Sequence, residues 1–397
     1  MSLDFTLGEE HQLVRASVRA MLQKYHPRRD EFRQMNAERR FPQELWDDFA
    51  AIGLLGCLVP EQYGGTNAGL LALTVAFEEL TAQGFLPGLM LVTSMDAACI
   101  VRNGTEELKQ RFLPEIVAGK LKLCFAVTEP NAGTNTFRVE THARRDGDGY
   151  RVNGQKVFIT GVEQADYMLL VARTTTVQEL QAQGKPKSQG LSLFLVDTKS
   201  PGLQKTLLPT PSNDGAGQWQ LFFDDVVVPA GNIVGTEGNG ALAMFNSLNP
   251  ERILAAAICA GMAQQCLDKS VAYAKQRVVF KDTPIGAYQS IAHPLAEVKI
   301  WHEAVKLMMY RAAWSFDQGL DPLEVGTQAN MAKFLGADLA LKAVDAALET
   351  HGGNGFSEDY GIIHLWFGAR LFKTAPVSRE MILNYVSEWS LGLPRSY

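Results

Sequence analysis

The sequence predicts an α+β protein in which helices come first, strands follow, and helices return. Apolar residues recur at three- and four-residue spacing before residue 121 and again after residue 235, as in amphipathic helices. Between these parts, short runs rich in Val, Phe, Leu and Thr are separated by turn residues, which is typical of an antiparallel barrel or sandwich. We therefore predict a helical domain over 1–120, a β domain over 121–235 and a helical domain over 236–397.

Each part has recognisable elements. The N-terminal helices are predicted in EEHQLVRASVRAMLQKY and ELWDDFAAIGLLGCLV. The strands are predicted in YRVNGQKVFIT, YMLLVART, LSLFLVD and WQLFFDDVVV, with TTTVQELQAQGKPKSQG as an exposed polar loop. The C-terminal helices are predicted in ERILAAAICAGMAQQCLDKSVAYAKQRVVF, HPLAEVKIWHEAVKLMMYRAAWSF and ANMAKFLGADLALKAVDAALETHGGNG. The paired glycines Gly352 and Gly353 end the last of these helices.

Composition excludes several classes of function. The chain has 397 residues, of which 46% are hydrophobic and 20% charged, and its formal net charge is -6. Nucleic-acid binding needs a basic face, so this charge argues against it. No apolar run is long enough to span a bilayer, and the N-terminus lacks the features of a signal or transit peptide, so we expect a cytoplasmic protein. None of the five cysteines has C-x-x-C spacing, which predicts neither a metal site nor a disulfide framework.

Seven short motifs occur in a fixed order along the chain. No G-x-G-x-x-G opens a βα unit, so a Rossmann dinucleotide site is unsupported. The motifs are VPEQYGG, TEPNAGTN, NGQKVFITG, FDDVVVPAGNIVG, ERILAAA, RVVF…PIGAYQSI and HGGNGF. In this order the chain resembles the acyl-CoA dehydrogenase family over essentially its whole length. The resemblance implies a helical N-terminal domain, a central antiparallel β domain and a C-terminal four-helix bundle, with one FAD per subunit in a homotetramer or dimer.

The resemblance also implies which residues face the flavin. A strand-end loop with a glycine and small hydroxyl residues can bring backbone N–H groups close to a ligand, and an isoalloxazine needs such donors. Thr134 is expected to contact the substrate as well. In KVFIT, an aromatic ring is expected to pack on the flavin and a hydroxyl to donate to its N5. The expected residues are Phe125, Val127, Thr128, Gly133, Thr134, Phe158 and Thr160.

A second set is expected to contact the cofactor elsewhere, including the ADP part of FAD on a neighbouring subunit. This set is Arg277, Phe280, Gln289, Glu349, Gly352, Gly353, Ser378 and Glu380. Two features depart from the family pattern. The stretch FKDTPIGAYQ is one residue longer than usual, and Glu349 stands where the family usually has Gln.

The catalytic base is expected at Glu251. Removing the α proton of an acyl thioester needs a carboxylate, and most relatives carry it in a C-terminal stretch where this chain has Pro376. A minority carry it on the first C-terminal helix just before an arginine, which corresponds to Glu251 and Arg252 in NPERILAAA. We expect Asn249 to cap that helix and Pro250 to lie in its first turn, and Arg252 to face CoA. The alternative is that Glu251 only complements the helix dipole.

The resemblance implies a dehydrogenase that converts an acyl-CoA to a trans-2-enoyl-CoA and passes electrons to an electron-transferring flavoprotein. Two alternatives remain at this level. One is a non-catalytic subunit of a heteromer, because Pro376 removes both the usual base and a backbone N–H. The other is a relative with different flavin chemistry, such as a monooxygenase or an enoyl-CoA reductase. If Glu251 is not the base, Glu349 and Glu380 are the remaining candidates.

Overall fold

The computed structural model describes residues 6–212 and 214–395, so Met1–Phe5, Asn213, Ser396 and Tyr397 lie outside the description. The chain divides into two compact units. Unit 1 comprises the chain up to Lys24, Gly69–Leu86, and the chain from Asn249 onward. Unit 2 comprises Tyr25–Ala68 and Pro87–Leu248. Unit 1 is almost wholly helical, and unit 2 contains the main β-sheet.

The elements follow the predicted order of helices, strands and helices. The α-helices are α1 (Glu9–Leu22), α2 (Arg29–Ala37), α3 (Gln43–Ala51), α4 (Gly69–Ala82), α5 (Gly88–Asn103), α6 (Glu106–Val117), α7 (Val177–Ala182), α8 (Gly240–Gln276), α9 (Gln289–Asp317), α10 (Pro322–His351), α11 (Ile363–Leu371) and α12 (Arg379–Trp389). The strands are β1 (Leu123–Ala126), β2 (His142–Asp146), β3 (Gly149–Thr160), β4 (Tyr167–Arg173), β5 (Leu191–Asp197), β6 (Leu203–Leu207), β7 (Gln218–Pro229), β8 (Ile233–Val234), β9 (Val278–Val279) and β10 (Thr283–Pro284). Among the described residues, no helix combines the length and the apolar character needed to cross a bilayer.

The sheet of unit 2 has the strand order β6-β7-β3-β2-β4-β5-β8, with β1 added beside β4. Most neighbouring strands are antiparallel, as predicted. The pairs β1–β4 and β2–β4 are parallel. The helical N-terminal, central β and helical C-terminal arrangement predicted from the sequence is confirmed.

Both faces of β4 are buried, because apolar residues line each face in alternation. Leu169 and Val171 pack into one hydrophobic cluster, which includes residues of α5 and α6. Met168 and Leu170 pack into a second cluster, formed largely by the other strands. A strand that is buried on both faces needs apolar residues at successive positions, which explains the sequence YMLLVA.

The segment predicted as an exposed loop, 174–190, contains the short helix α7. Its start is a capping box: the backbone N–H of Glu179 donates to Thr176 Oγ1 at 3.2 Å, and the backbone N–H of Thr176 donates to the Glu179 carboxylate at 2.7 Å. These bonds satisfy two donors that a helix end otherwise leaves open. The sequence contains the helix-start pattern T-x-x-E here, but the polar composition of the segment led to the prediction of a loop.

In unit 1, α4 and α8 approach closely at Gly261. A Cβ atom added to this glycine would lie 2.4 Å from the carbonyl oxygen of Glu78 and 2.7 Å from Cβ of Thr81. Only a residue without a side chain allows two helix backbones to come this near. The same region holds a buried polar cluster, in which Arg15 donates to Glu78 and to Tyr310 at 3.0 Å each.

Gly261→Ala should therefore destabilise the protein. A methyl group at 2.4 Å from a backbone oxygen forces the helices apart, and overpacking of this kind costs about 1–3 kcal/mol. Thermal unfolding followed by circular dichroism measures the change. Gly231→Ala is the matched control, because an added Cβ there meets no atom within 4 Å. Equal melting temperatures for the two variants would contradict the prediction.

Candidate active site

A buried ion pair anchors the loop that follows β1. Lys156 of β3 donates to the Glu129 carboxylate at 2.8 Å and to the carbonyl of Val127 at 2.9 Å. The carboxylate also accepts the backbone N–H groups of Glu140 and Thr141, at 2.6 and 3.0 Å. Burial opposes the charged form, but these partners outweigh it, and the pKa of Glu129 is lowered. The pair holds TEPNAGTN against the strand that contains KVFIT.

Phe158 and Thr160 lie at the end of β3, where the backbone N–H of Val157 donates to the Thr128 carbonyl of this loop at 2.9 Å. The β3–β7 pairing is irregular between Lys156 and Ile159, and Phe158 has a left-handed backbone with φ of 58°. The irregularity turns the Phe158 ring outward, where 59% of its surface is exposed. The Thr160 hydroxyl is 2.8 Å from the Gln218 amide nitrogen on β7. The Thr160 hydroxyl can also donate to Gln218 Oε1 at 3.2 Å, so its hydrogen points either to that oxygen or to a ligand.

The loop after β1 offers unused backbone donors. Among the described residues, the N–H groups of Thr128, Gly133 and Thr134 donate to no protein acceptor. Gly133 and Thr134 are exposed, and a Cβ added to Gly133 would meet no atom within 4 Å. Open amides next to an outward-facing aromatic ring are the donor set that a flavin requires. These residues therefore fit the cofactor that the sequence predicts.

The remaining two residues of this predicted set are partly engaged within unit 2. Phe125 is half-buried and packs against the cluster that includes α5 and α6. Val127 packs against the same cluster, and its carbonyl accepts from Lys156. Their part in binding a cofactor stays a prediction.

The residues expected to face ADP lie together in unit 1. Phe280, in the β9–β10 turn, is 82% exposed, and its carbonyl accepts from the Tyr288 hydroxyl, next to Gln289. Tyr273 links this segment to HGGNGF: its ring stacks on His351 with centroids 4.4 Å apart, and its hydroxyl accepts from Asn354 at 3.1 Å. The exposed members are Arg277, Phe280, Gln289, Glu349, Gly352 and Gly353.

Open space surrounds the glycines of HGGNGF. A Cβ added to Gly352 or Gly353 would meet no atom within 4 Å, and Gly352 has a φ of 57°. The left-handed conformation at Gly352 favours glycine. A backbone this uncovered can approach a pyrophosphate closely, as the sequence predicts. The role of these residues stays a prediction.

Glu251 does not lie at a helix start, contrary to the sequence prediction. Helix α8 begins at Gly240 and continues through Pro250, so Glu251 is in its interior. Proline removes only one backbone hydrogen bond, and a long helix tolerates this loss when its other residues are well packed. Asn249 does not cap the helix: its side-chain oxygen accepts from Arg252 Nη1 at 3.2 Å. The helix dipole therefore does not account for Glu251.

The surroundings of Glu251 favour its protonated form. Its side chain keeps a partly accessible surface, yet burial raises the pKa of Glu251 from its ordinary value of 4.5 to about 7. The charges of Arg252 and Lys333 oppose this shift. Burial in turn lowers the pKa of Arg252. A partly accessible carboxylate in a desolvating recess, with a pKa near neutrality, has the properties of a general base.

Other candidates for the base are less suited. Glu380 lies in the first turn of α12 and is exposed, and Glu349 is exposed on α10. Ser378 caps α12, because its hydroxyl accepts the backbone N–H of Met381 at 3.3 Å. The use of Ser378 and Glu380 in cofactor binding stays a prediction.

Comparison with known proteins decides the family. Residues 8–120 match the acyl-CoA dehydrogenase N-terminal domain, residues 124–226 the middle domain and residues 238–391 the C-terminal domain. Acyl-CoA dehydrogenase FadE12 of Mycobacterium tuberculosis is 40% identical over 394 residues, covering 99% of each chain. The chain belongs to the acyl-CoA dehydrogenase family.

Solved structures agree with this assignment. A glutaryl-coenzyme A dehydrogenase in complex with glutaryl-CoA matches with a TM-score of 0.90 at 29% identity, covering 99% of this chain and 98% of that one. A glutaryl-CoA dehydrogenase of Mycobacterium smegmatis in complex with FADH2 matches with a TM-score of 0.86 at 25% identity, covering 98% and 96%. The predicted family, enzyme class and FAD cofactor are confirmed. The chain is an FAD-dependent oxidoreductase of the acyl-CoA dehydrogenase family.

Sequence reasoning missed two residues near the predicted ones. Gln218 pairs with Thr160 across the sheet, a contact that depends on the strand order. Lys333 is 2% exposed on α10 and interacts electrostatically with Glu251. A signal existed for Lys333, because it is a charged residue at a core position in the apolar stretch ANMAKFLGADL.

Glu251→Gln should remove a pH-dependent part of the stability. The folded pKa of Glu251, about 7, exceeds its ordinary value of 4.5. Its contribution is therefore fully present below the ordinary pKa and is lost as the pH rises through the folded pKa. At about 1.4 kcal/mol per pKa unit, the loss is at most about 3.5 kcal/mol. Melting temperatures measured at about pH 5 and pH 8 should fall more in the wild type than in Glu251→Gln.

Glu297→Gln is the control, because Glu297 is exposed and pairs with Lys342 at 2.8 Å on the surface of unit 1. It should follow the wild type. A wild-type melting temperature with the same pH dependence as Glu251→Gln would contradict the raised pKa.

Proposed function

We propose that the protein catalyses the α,β-dehydrogenation of an acyl-CoA thioester to a trans-2-enoyl-CoA, with Glu251 as the base. The observation that carries this proposal is the Glu251 carboxylate, whose pKa burial raises to about 7 between the cations Arg252 and Lys333. An acidic α proton next to a thioester requires a base of about this strength at neutral pH. Family membership supports the same reaction class.

The roles of the chain's own residues follow from their chemistry. Glu251 takes the α proton, and Arg252, adjacent on α8, binds anionic groups of CoA. Thr160 would turn its hydroxyl hydrogen from Gln218 Oε1 to the cofactor, and Phe158 would offer its exposed ring. FAD, when bound, supplies the acceptor for the hydride that leaves the β carbon. The open N–H groups of Thr128, Gly133 and Thr134 bind its polar edge.

The carbonyl of the thioester needs donors to polarise it. Proline has no N–H, so position 376 cannot supply the backbone donor that relatives have there. Electrons leave to an electron-transferring flavoprotein in this proposal, as the resemblance to the family implies.

Glu251→Gln should abolish substrate-driven bleaching of the flavin. The amide keeps the shape of the side chain but cannot accept the proton, and loss of a general base costs about 10²–10⁴-fold in rate. Stopped-flow absorbance with a panel of acyl-CoA thioesters measures the rate, and calorimetry shows whether the thioester still binds.

Glu297→Gln again serves as the control and should bleach at the wild-type rate. A wild-type rate in Glu251→Gln would exclude Glu251 and direct attention to Glu349 and Glu380. If no thioester bleaches the wild-type flavin, a non-catalytic subunit becomes the better explanation.

We also propose that the chain assembles with copies of itself, as a homotetramer or dimer. Helix α9 carries an apolar stripe at seven-residue spacing, with Ile300, Leu307 and Trp314 exposed by 70%, 50% and 50%. Trp301, beside this stripe, is 43% exposed. Contiguous exposed apolar residues on a helix usually mark an interface.

Leu307→Lys should shift the assembly toward smaller species. A charged residue at the centre of the α9 stripe cannot be buried against an apolar partner without losing its hydration. Light scattering coupled to size-exclusion chromatography measures the mass. Leu13→Lys is the matched control, because Leu13 is 67% exposed on α1. If Leu307→Lys has the same mass in solution as Leu13→Lys and the wild-type assembly, the α9 stripe has no role in assembly.

A further inference from the structure

Helix α10 holds the turn between α11 and α12 at several points. We call residues 373–379, which run from just after α11 to the first residue of α12, the 373–379 turn, and it contains Pro376. The Lys333 ammonium donates to the carbonyl of Val377. Asp338, five residues further along α10, pairs with Lys373 at 2.8 Å and with Arg379. The Arg379 guanidinium also lies over the Phe334 ring, 4.3 Å from its centroid.

Lys333 differs from the other members of this set because it is almost wholly buried. Its residue surface is 2% exposed, whereas the side chains of Arg379 and Asp338 are 39% and 35% exposed. The Lys333 ammonium has three hydrogens, and among the described residues its one hydrogen-bond acceptor is the carbonyl of Val377. A buried lysine with so few partners is costly, and burial lowers the pKa of Lys333 to about 8.

The helices α8 and α10 place Lys333 near Glu251. Gly336 of α10 marks their close approach, because a Cβ added there would lie 3.1 Å from Cα of Ala256 on α8, and Gly326 lies near the Asn249 side chain, 3.6 Å from an added Cβ. Lys333 lies between these two points on α10. The groups that act on it electrostatically are Cys259, Arg252, Glu251 and Asp338. The groups that act on Glu251 are Arg252 and Lys333.

We infer that Lys333 is a positioning residue for the reaction: its hydrogen bond fixes the 373–379 turn, and its charge keeps Glu251 available as a carboxylate. The inference rests on the proposed function of Glu251. One lysine thus connects the turn where relatives carry their base with the helix where this chain carries Glu251. Among the described residues no ion pair joins Lys333 to Glu251, since the Lys333 ammonium donates to the Val377 carbonyl, and the Glu251 carboxylate can accept a proton.

The two roles can be separated with three variants of Lys333. Lys333→Met fills the space but removes both the donor and the charge. Lys333→Gln keeps a donor within reach of the Val377 carbonyl and removes the charge. Lys333→Arg keeps both. Lys342→Met is the control on the same helix, because Lys342 is 41% exposed and pairs with Glu297 at the surface.

The pH dependence of kcat/KM for flavin bleaching is the first measurement. Glu251 acts when ionised, so activity rises with pH through its pKa. Removing a nearby positive charge raises the pKa of a carboxylate by about 1 unit or more. The acid limb should therefore move up by about 1 pH unit in Lys333→Met and Lys333→Gln, and stay in place in Lys333→Arg and Lys342→Met. At saturating pH, kcat should be lower in Lys333→Met than in Lys333→Gln, because the turn loses its hydrogen bond.

The second measurement does not depend on turnover. The melting temperature of the FAD-loaded protein should fall as the pH rises through the pKa of Glu251. In Lys333→Gln this fall should continue to a pH about 1 unit higher than in the wild type. An acid limb and a melting profile that are unchanged in both Lys333→Met and Lys333→Gln would overturn the inference. Glu251→Gln distinguishes this failure from failure of the proposed function: if that variant is inactive while the Lys333 variants keep the wild-type acid limb, only the inference on Lys333 is wrong.

Discussion

The buried pair of Lys156 and Glu129 determines the shape of the candidate cofactor surface in unit 2. Lys156 is fully buried, and its single charge is matched by a carboxylate that also accepts two backbone N–H groups. Breaking such a pair leaves an uncompensated charge, which costs about 3–5 kcal/mol. Because the pair joins the loop after β1 to the middle of β3, the open amides of that loop and the exposed Phe158 ring lie side by side. The surface that we propose for the flat, polar-edged cofactor thus depends on one interior ion pair.

In unit 1, the feature that matters is the pKa of Glu251, the residue that we propose as the base. A base must be ionised when substrate arrives and yet bind a proton readily, so its pKa must lie near the working pH. At Glu251, burial raises the pKa, and two cations limit the rise. Arg252 is the neighbour in sequence, whereas Lys333 comes from another helix. The balance depends on the packing of α8 against α10, where Gly336 permits a close approach.

Pro376 and Glu251 lie at the two places where the resemblance to the family puts the catalytic base, and we propose that Glu251 has this role. The turn with Pro376 lies at the start of α12, and Lys333 bonds to the carbonyl of the next residue. Glu251 lies in the interior of α8, where no helix end contributes to its charge. The carboxylate therefore depends on side-chain charges from two helices. A substitution at residue 333, far from Glu251 in sequence, therefore changes the charge that acts on the Glu251 carboxylate.

The sequence by itself determined the order of elements, the positions of β3, β4, β5 and β7, and the family motifs, because periodicity and turn residues are local properties. It also singled out Glu251 and Arg252, adjacent along the chain, as the candidates that we propose for the base and the CoA contact. Only the tertiary structure decided that Glu251 is in a helix interior, since whether Pro250 starts a helix or interrupts one depends on how the preceding turns pack. The partners Gln218 and Lys333 were likewise decided there, because a residue's pKa and its hydrogen bonds depend on groups that folding brings together from distant parts of the chain.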